Sequence, residues 1–237
     1  MRHIRELIAL TKVAHPNDRF FGNLDLILDV YSAEYRAYER ALCYLDPESW
    51  VKLRIKAIVH FPDYRNGQLK QGFFNQLNEV FAYQHLVRRG YRQVRVLHEV
   101  GKTQPDIEYM DGDERLFCEV KTICISDKQI ARRNTNQLLR GDAPIYDVLS
   151  DGFVNKLQSD LDKASRQINA RVAKGLIYVL IFFDDFTVTN YDTYRKQICT
   201  CIQTHKAENV FVKVGLLGRR HIQKNPTRAT KHIAPNI

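Results

Sequence analysis

The chain contains no P-loop, no glycine-rich dinucleotide fingerprint, no His-Glu-x-x-His pair and no internal repeat. Those absences set aside the P-loop nucleotidases, the Rossmann cofactor enzymes, the zincin proteases and the repeat solenoids. The Met1-Arg2-His3-Ile4-Arg5 start leads into no apolar stretch of signal-peptide or membrane length. A cytoplasmic protein without membrane attachment is therefore expected. The 5 cysteines lack paired spacing, which fits reduced thiols rather than a disulfide framework. Cys199-Thr200-Cys201 with His205 offers zinc-ligand types, but the spacing is neither a finger nor a ribbon. A helix with buried cysteines is the favoured reading there. Acids stop at Glu208, and Arg219, Arg220, Lys224, Arg228 and Lys231 then form a basic tail, either disordered or a phosphate-binding arm.

At 237 residues the chain can bury one good core with a small appended subdomain. Its net charge of +9 favours a polyanionic partner. A basic surface kept for solubility is the plainer alternative.

The first part reads as helices. Leu24 to Leu45 is rich in Leu, Tyr and Ala. Asp46-Pro47-Glu48 has a cap and a first-turn proline, and Trp50 to Val59 follows. Pro62 to Gly67 is turn chemistry, which suggests an N-terminal helical subdomain over 1–68, a main core over 69–218 and a basic tail over 219–237. Gly72 to Arg89 predicts a helix stopped by Gly90. Its stripe of Phe73, Leu77, Val80, Phe81 and Val87 and its second facet of Glu79, Ala82, Tyr83 and Leu86 make it apolar on two sides. Glu79 then faces packed structure, unless it is an ordinary exposed helical acid.

Gln93 to Val100 alternates as a strand, and two hairpin strands follow near Asp106 to Met110 and Arg115 to Ile123. Ser126 to Ser150 is a long irregular segment carrying Lys128, Arg132, Arg133 and Arg140. Val154, Leu157, Leu161, Ala164, Ile168 and Val172 mark an amphipathic helix whose flank holds Lys156, Lys163, Gln167 and Lys174. Leu176 to Phe183 is apolar throughout, as in a strand buried on both faces. Tyr191 to His205 reads as a helix and Val210 to Leu217 as a last strand.

The hairpin carries the chemistry. Side chains alternate along a strand, so Glu119 and Lys121 share one face. With Asp111-Gly112 as a two-residue turn, Tyr109 lies opposite Glu114 and Asp106 opposite Phe117. Asp106, Glu119 and Lys121 then share a face. A three-residue turn over Asp111 to Asp113 would put Asp106 on the wrong side, and a bulge near Pro105 could correct or spoil the register. A plain surface hairpin is the competing reading. Against it, Leu116 to Val120 reads as largely buried, and buried acids need partners or a metal.

Glu79 on a helix, Gly90, Pro105-Asp106 and Glu119-Val120-Lys121 occur in the order helix, three strands, helix, strand, helix, strand. In that arrangement the chain resembles the PD-(D/E)XK nuclease superfamily over Gly72 to Leu217, most like compact Holliday-junction resolvases and restriction-type members. Gln167 is a weaker match. The N-terminal helices match no part of it. The resemblance implies an α/β, restriction-endonuclease-like αβββαβ core with a central mixed sheet flanked by helices. It implies an endonuclease that hydrolyses DNA rather than RNA. Asp106, Glu119 and the Val120 carbonyl would bind magnesium, with manganese able to substitute, and Glu79 would hold a second metal or its water. Lys121 would act as base or as electrostatic stabiliser, and Gln167 would support the site. DNA contacts are expected from Lys128, Arg132, Arg133, Arg140, Lys163, Arg219 and Arg220. Double-strand cutters of the family often dimerise. The alternatives are a catalytically inactive nucleic-acid-binding protein of the same fold, or a regulatory or assembly protein whose basic faces meet acidic proteins.

Overall fold

The computed structural model describes residues 1–63, 70–98, 104–124, 147–172, 174–182, 190–217 and 220–224. Helices α1 (Arg2–Ala14), α2 (Leu24–Val30), α3 (Ser32–Leu42), α4 (Pro47–Val59), α5 (Gln71–Leu77) and α6 (Glu79–Arg88) come first. Strands β1 (Arg92–Val96), β2 (Ile107–Asp111) and β3 (Glu114–Ile123) follow. The chain continues through α7 (Asp151–Asn169), β4 (Gly175–Ile181), α8 (Tyr191–Thr204), β5 (Val210–Val214) and β6 (His221–Lys224). Among the described residues no helix is long and apolar enough to cross a membrane.

The fold is α/β. Its sheet is mixed and open, in the order β1-β2-β3-β4-β5-β6. The β3–β4 and β4–β5 pairs are parallel, and the other neighbours are antiparallel. Both parallel connections pass through a helix, as parallel neighbours require. Alternation along the strands separates two apolar layers. Ile107, Tyr109, Leu116, Cys118, Tyr178 and Leu180 join the buried residues of α1 to α6. Ile123, Ile177, Val179, Ile181, Val210 and Val212 pack against α7 and α8. Leu176 to Ile181 is buried throughout, as expected for a central strand covered on both faces. Gly175 opens β4 because a Cβ there would stand 2.3 Å from the Phe117 carbonyl oxygen on β3.

Three local expectations are corrected. The helix expected over Leu24 to Leu45 divides at Tyr31, whose φ of −104° and ψ of 32° lie outside the helical well. Ser32 then starts the second piece, where its carbonyl and hydroxyl oxygens both accept from Arg36. The helix expected over Gly72 to Arg89 divides at Asn78, whose side chain is committed to tertiary partners. It accepts from Tyr38 Oη (2.6 Å) and donates to Thr122 Oγ1 (3.2 Å). That division makes Glu79 the first residue of α6.

The third correction is the hairpin register. Asp111 pairs with Glu114, so Gly112-Asp113 forms the turn, one residue later than Asp111-Gly112. Gly112 takes the positive φ of 63° that such a turn needs. Each partner therefore moves by two positions, which preserves face parity. Ile107 pairs with Cys118, and continuing that register sets Asp106 opposite Glu119 instead of Phe117. Past the expected last strand, His221–Lys224 adds an antiparallel edge to β5, so part of the basic tail belongs to the sheet.

Candidate active site

Asp106 is fixed from two sides at the entrance to β2. Its main-chain carbonyl accepts from Leu97 N (2.8 Å). One oxygen of its carboxylate accepts from Val120 N (2.8 Å), which ties the acid to the next strand. Glu119 is 2 % exposed. Its Oε1 accepts from Lys121 Nζ (2.6 Å), two residues along the same face. Lys121 also donates to Gln167 Oε1 on α7 (2.9 Å), so the lysine is held between strand and helix.

Glu79 projects into the same place from the start of α6, where the positive end of a helix favours an acid. Its partner is Lys56, donated by α4: Lys56 Nζ lies 2.5 Å from Glu79 Oε1 and 3.6 Å from Asp106 Oδ1. Both the lysine and the glutamate are buried. The lysine's position follows from its helix. Asp46 caps α4 through Ser49 N (2.9 Å) and accepts from Tyr83 Oη (2.9 Å). Ser49 Oγ accepts from Val96 N (3.0 Å), which fastens the helix to β1. Ser49, Leu53, Lys56 and Ala57 form the buried face of α4 at helical spacing.

These groups line a cleft of about 320 Å³ that also takes in Gln76, His98, Gln104, Lys156 and Asp160. Lys156 neutralises Asp160 by reaching both of its oxygens, at 2.5 and 2.6 Å. Among the described residues, three buried oxygens in the cleft wall, Gln76 Oε1, Glu79 Oε2 and Glu119 Oε2, have no hydrogen-bond donor. An unsatisfied buried acceptor costs about 1–3 kcal/mol, and more when it is charged.

The cost appears in the protonation equilibria. Burial raises Glu119, Asp106 adds repulsion, and Lys121 only partly opposes them, so that its carboxyl is pushed up to about 8. Burial also pushes Glu79 well above the usual carboxylate range, against the attraction of Lys56. Such crowding is what a divalent cation relieves. Carboxylate, amide and main-chain oxygens form a hard donor set that suits magnesium. The residues present therefore fit a divalent ion. They are not tightly gathered: among the described residues, the one group with three ligating atoms within 4.8 Å of one another is His3, Glu39 and Cys43. In that group Glu39 is already engaged, since it accepts from the main-chain nitrogens of His3 and Ile4 at the start of α1.

Asp106, Glu119, Lys121, Glu79, Gln167 and Val120 thus border one cleft. Lys163 is exposed on α7, and Arg220 lies over the Tyr191 ring, 4.6 Å from its centroid. Neither lines the cleft. Lys128, Arg132, Arg133, Arg140 and Arg219 lie outside the described residues. Cys201 packs in the layer under α8, with half-buried Cys199 against it, while His205 contacts Asp162 and Ala207 N, as the buried-cysteine reading expects. Lys56 was missed by sequence reasoning. Its signal was a lysine at helical spacing from Ser49 and Leu53 on an otherwise inward face. Comparison with family models, with curated proteins and with solved structures returns no match.

Proposed function

We propose that the chain is a metal-dependent endodeoxyribonuclease of the PD-(D/E)XK type, with a restriction-endonuclease-like core running from α6 to β5. The observation that carries this reading is the pair of donorless buried oxygens, Glu79 Oε2 and Glu119 Oε2, in a cleft that also holds Asp106 and Lys121. The order α6, three antiparallel strands, α7, β4, α8 and β5 supports it, as does the net charge of +9.

Asp106 and Glu119, with the Val120 carbonyl, would hold magnesium, which when bound lowers the pKa of water and neutralises phosphate charge. The chain's own groups do the remaining work. Asp106 is pinned by Val120 N and Leu97 N, so its carboxylate is preorganised. Lys121 places one positive charge at the cleft wall, where it favours the extra negative charge of the transition state. Gln167 fixes the direction of that ammonium by accepting one of its protons. Burial of Glu119 excludes water from the carboxylate and strengthens its pull on any cation.

A DNA-binding protein of the same fold without catalysis is the second reading. It is favoured by the ammonium groups of Lys56 and Lys121, which already partner Glu79 and Glu119. Nicking of supercoiled plasmid separates the two. Magnesium-dependent relaxation by the wild type, abolished by EDTA and by Asp106→Asn, is the expected result. Salt-sensitive binding with no nicking in magnesium or manganese would replace the first reading by the second.

A further inference from the structure

Lys56 is a charged cleft residue that the proposed chemistry does not require. It comes from α4, outside the αβββαβ order, yet its side chain is only 6 % exposed and reaches the middle of the acidic wall. A buried ammonium is costly unless it is paired, and the pairing here is specific. It sits 2.5 Å from Glu79 Oε1 and 3.6 Å from Asp106 Oδ1, bridging two carboxylates as a metal ion would. It is not a surface lysine bending inward. The bond from Val96 N to Ser49 Oγ fixes its helix on the sheet edge, and that from Tyr83 Oη to Asp46 ties it to α6. Withdrawal of Lys56 would leave Glu79 buried without a counter-charge.

We propose that Lys56 is a built-in cation that takes the place of a second divalent ion between Glu79 and Asp106, so that the site binds one divalent ion on the Asp106–Glu119 side. Charge counting agrees. With all three carboxylates in the ionised form that cations favour, Glu79, Asp106 and Glu119 against Lys56 and Lys121 leave one negative charge. One divalent ion turns this into one positive charge, which a single phosphodiester matches. A second ion would leave an excess of three positive charges in a buried cleft. Glu79 is then chiefly the ammonium's partner and Asp106 the acid shared between ammonium and metal.

This inference rests on the metal-binding reading above, and counting bound ions tests the two separately. Manganese is titrated into the intact protein, with free Mn²⁺ followed by electron paramagnetic resonance and heat by calorimetry. The wild type should bind one ion. Lys56→Gln should bind two, with the spin–spin broadening of a close pair, and Lys56→Gln/Glu79→Gln should return to one. Two ions in the wild type, or one in a folded Lys56→Gln, would overturn the role of Lys56 and leave the metal reading standing. No ion in the wild type would overturn both. If far-ultraviolet circular dichroism shows Lys56→Gln to be unfolded, Glu79→Gln decides. It should keep the single ion within about threefold of the wild-type affinity. A loss of more than tenfold, equivalent to about 1.4 kcal/mol, would make Glu79 a ligand of the first ion and refute the assignment.

Discussion

Replacing Glu119 by glutamine keeps the shape of the side chain and removes its charge. In the folded, metal-free protein the Glu119 carboxyl is pushed up to about 8 from an ordinary value of 4.5. A raised acid binds its proton more tightly in the folded than in the unfolded chain. Stability from this group is therefore full below the ordinary value and is lost as pH rises toward the raised one. At about 1.36 kcal/mol for each pH unit, the loss across the window approaches 4–5 kcal/mol. Glutamine has no such loss. It does weaken the contact with Lys121, which offsets about 1–3 kcal/mol at every pH. In EDTA, Glu119→Gln should thus melt at or slightly below the wild type near pH 5. Near pH 8 it should be more stable than the wild type by about 1–4 kcal/mol. For a chain of 237 residues that is roughly 2–16 °C, readable by differential scanning fluorimetry. Magnesium should raise the wild-type melting temperature, most at high pH, and should leave the variant unmoved. An equal destabilisation of the variant at pH 5 and pH 8 would refute the reasoning. Lys121 would then fully satisfy Glu119, and no cation would be called for.

Lys121→Ala should lower plasmid nicking by about 10²–10⁴-fold while metal binding persists, since the lysine acts on charge and proton transfer; a nicking time course with manganese calorimetry checks both. Ser49→Ala removes the acceptor of Val96 N and should destabilise the fold by about 1–3 kcal/mol in urea titration, loosening the helix that carries Lys56. Joint replacement of Lys128, Arg132, Arg133 and Arg140 by alanine should weaken DNA binding irrespective of sequence. The salt dependence should flatten by about 0.9 log unit per lost contact, and an unchanged slope would move attention to Arg219 and Arg220.

The acid–lysine hairpin was legible in the sequence because period-two alternation assigns faces without knowledge of the rest of the fold. Glu119 and Lys121 had to share a side, and parity brought Asp106 with them even though the turn lies one residue later than Asp111-Gly112 suggests. Glu79 was legible as an acid on a helix apolar on two sides. The central strand was legible as an uninterrupted apolar run. All of these are local patterns set by helix and strand geometry.

Tertiary structure alone decided the rest. Local sequence cannot reveal that Asn78 bonds to Tyr38 and Thr122, and those long-range bonds coincide with the break that sets Glu79 at a helix start. Nor can it show that Lys56, 50 residues before Asp106, would lie 3.6 Å from that carboxylate. A lysine on a helix is ordinarily solvated. This one is buried because Ser49 and Leu53 turn its face of α4 inward, and because two acids from elements not yet formed in sequence order offset its desolvation. The charge balance of the cleft is therefore a property of the packed molecule: helical and strand periods fix which way each group points, while only the docking of α4 on the sheet edge decides which charges meet.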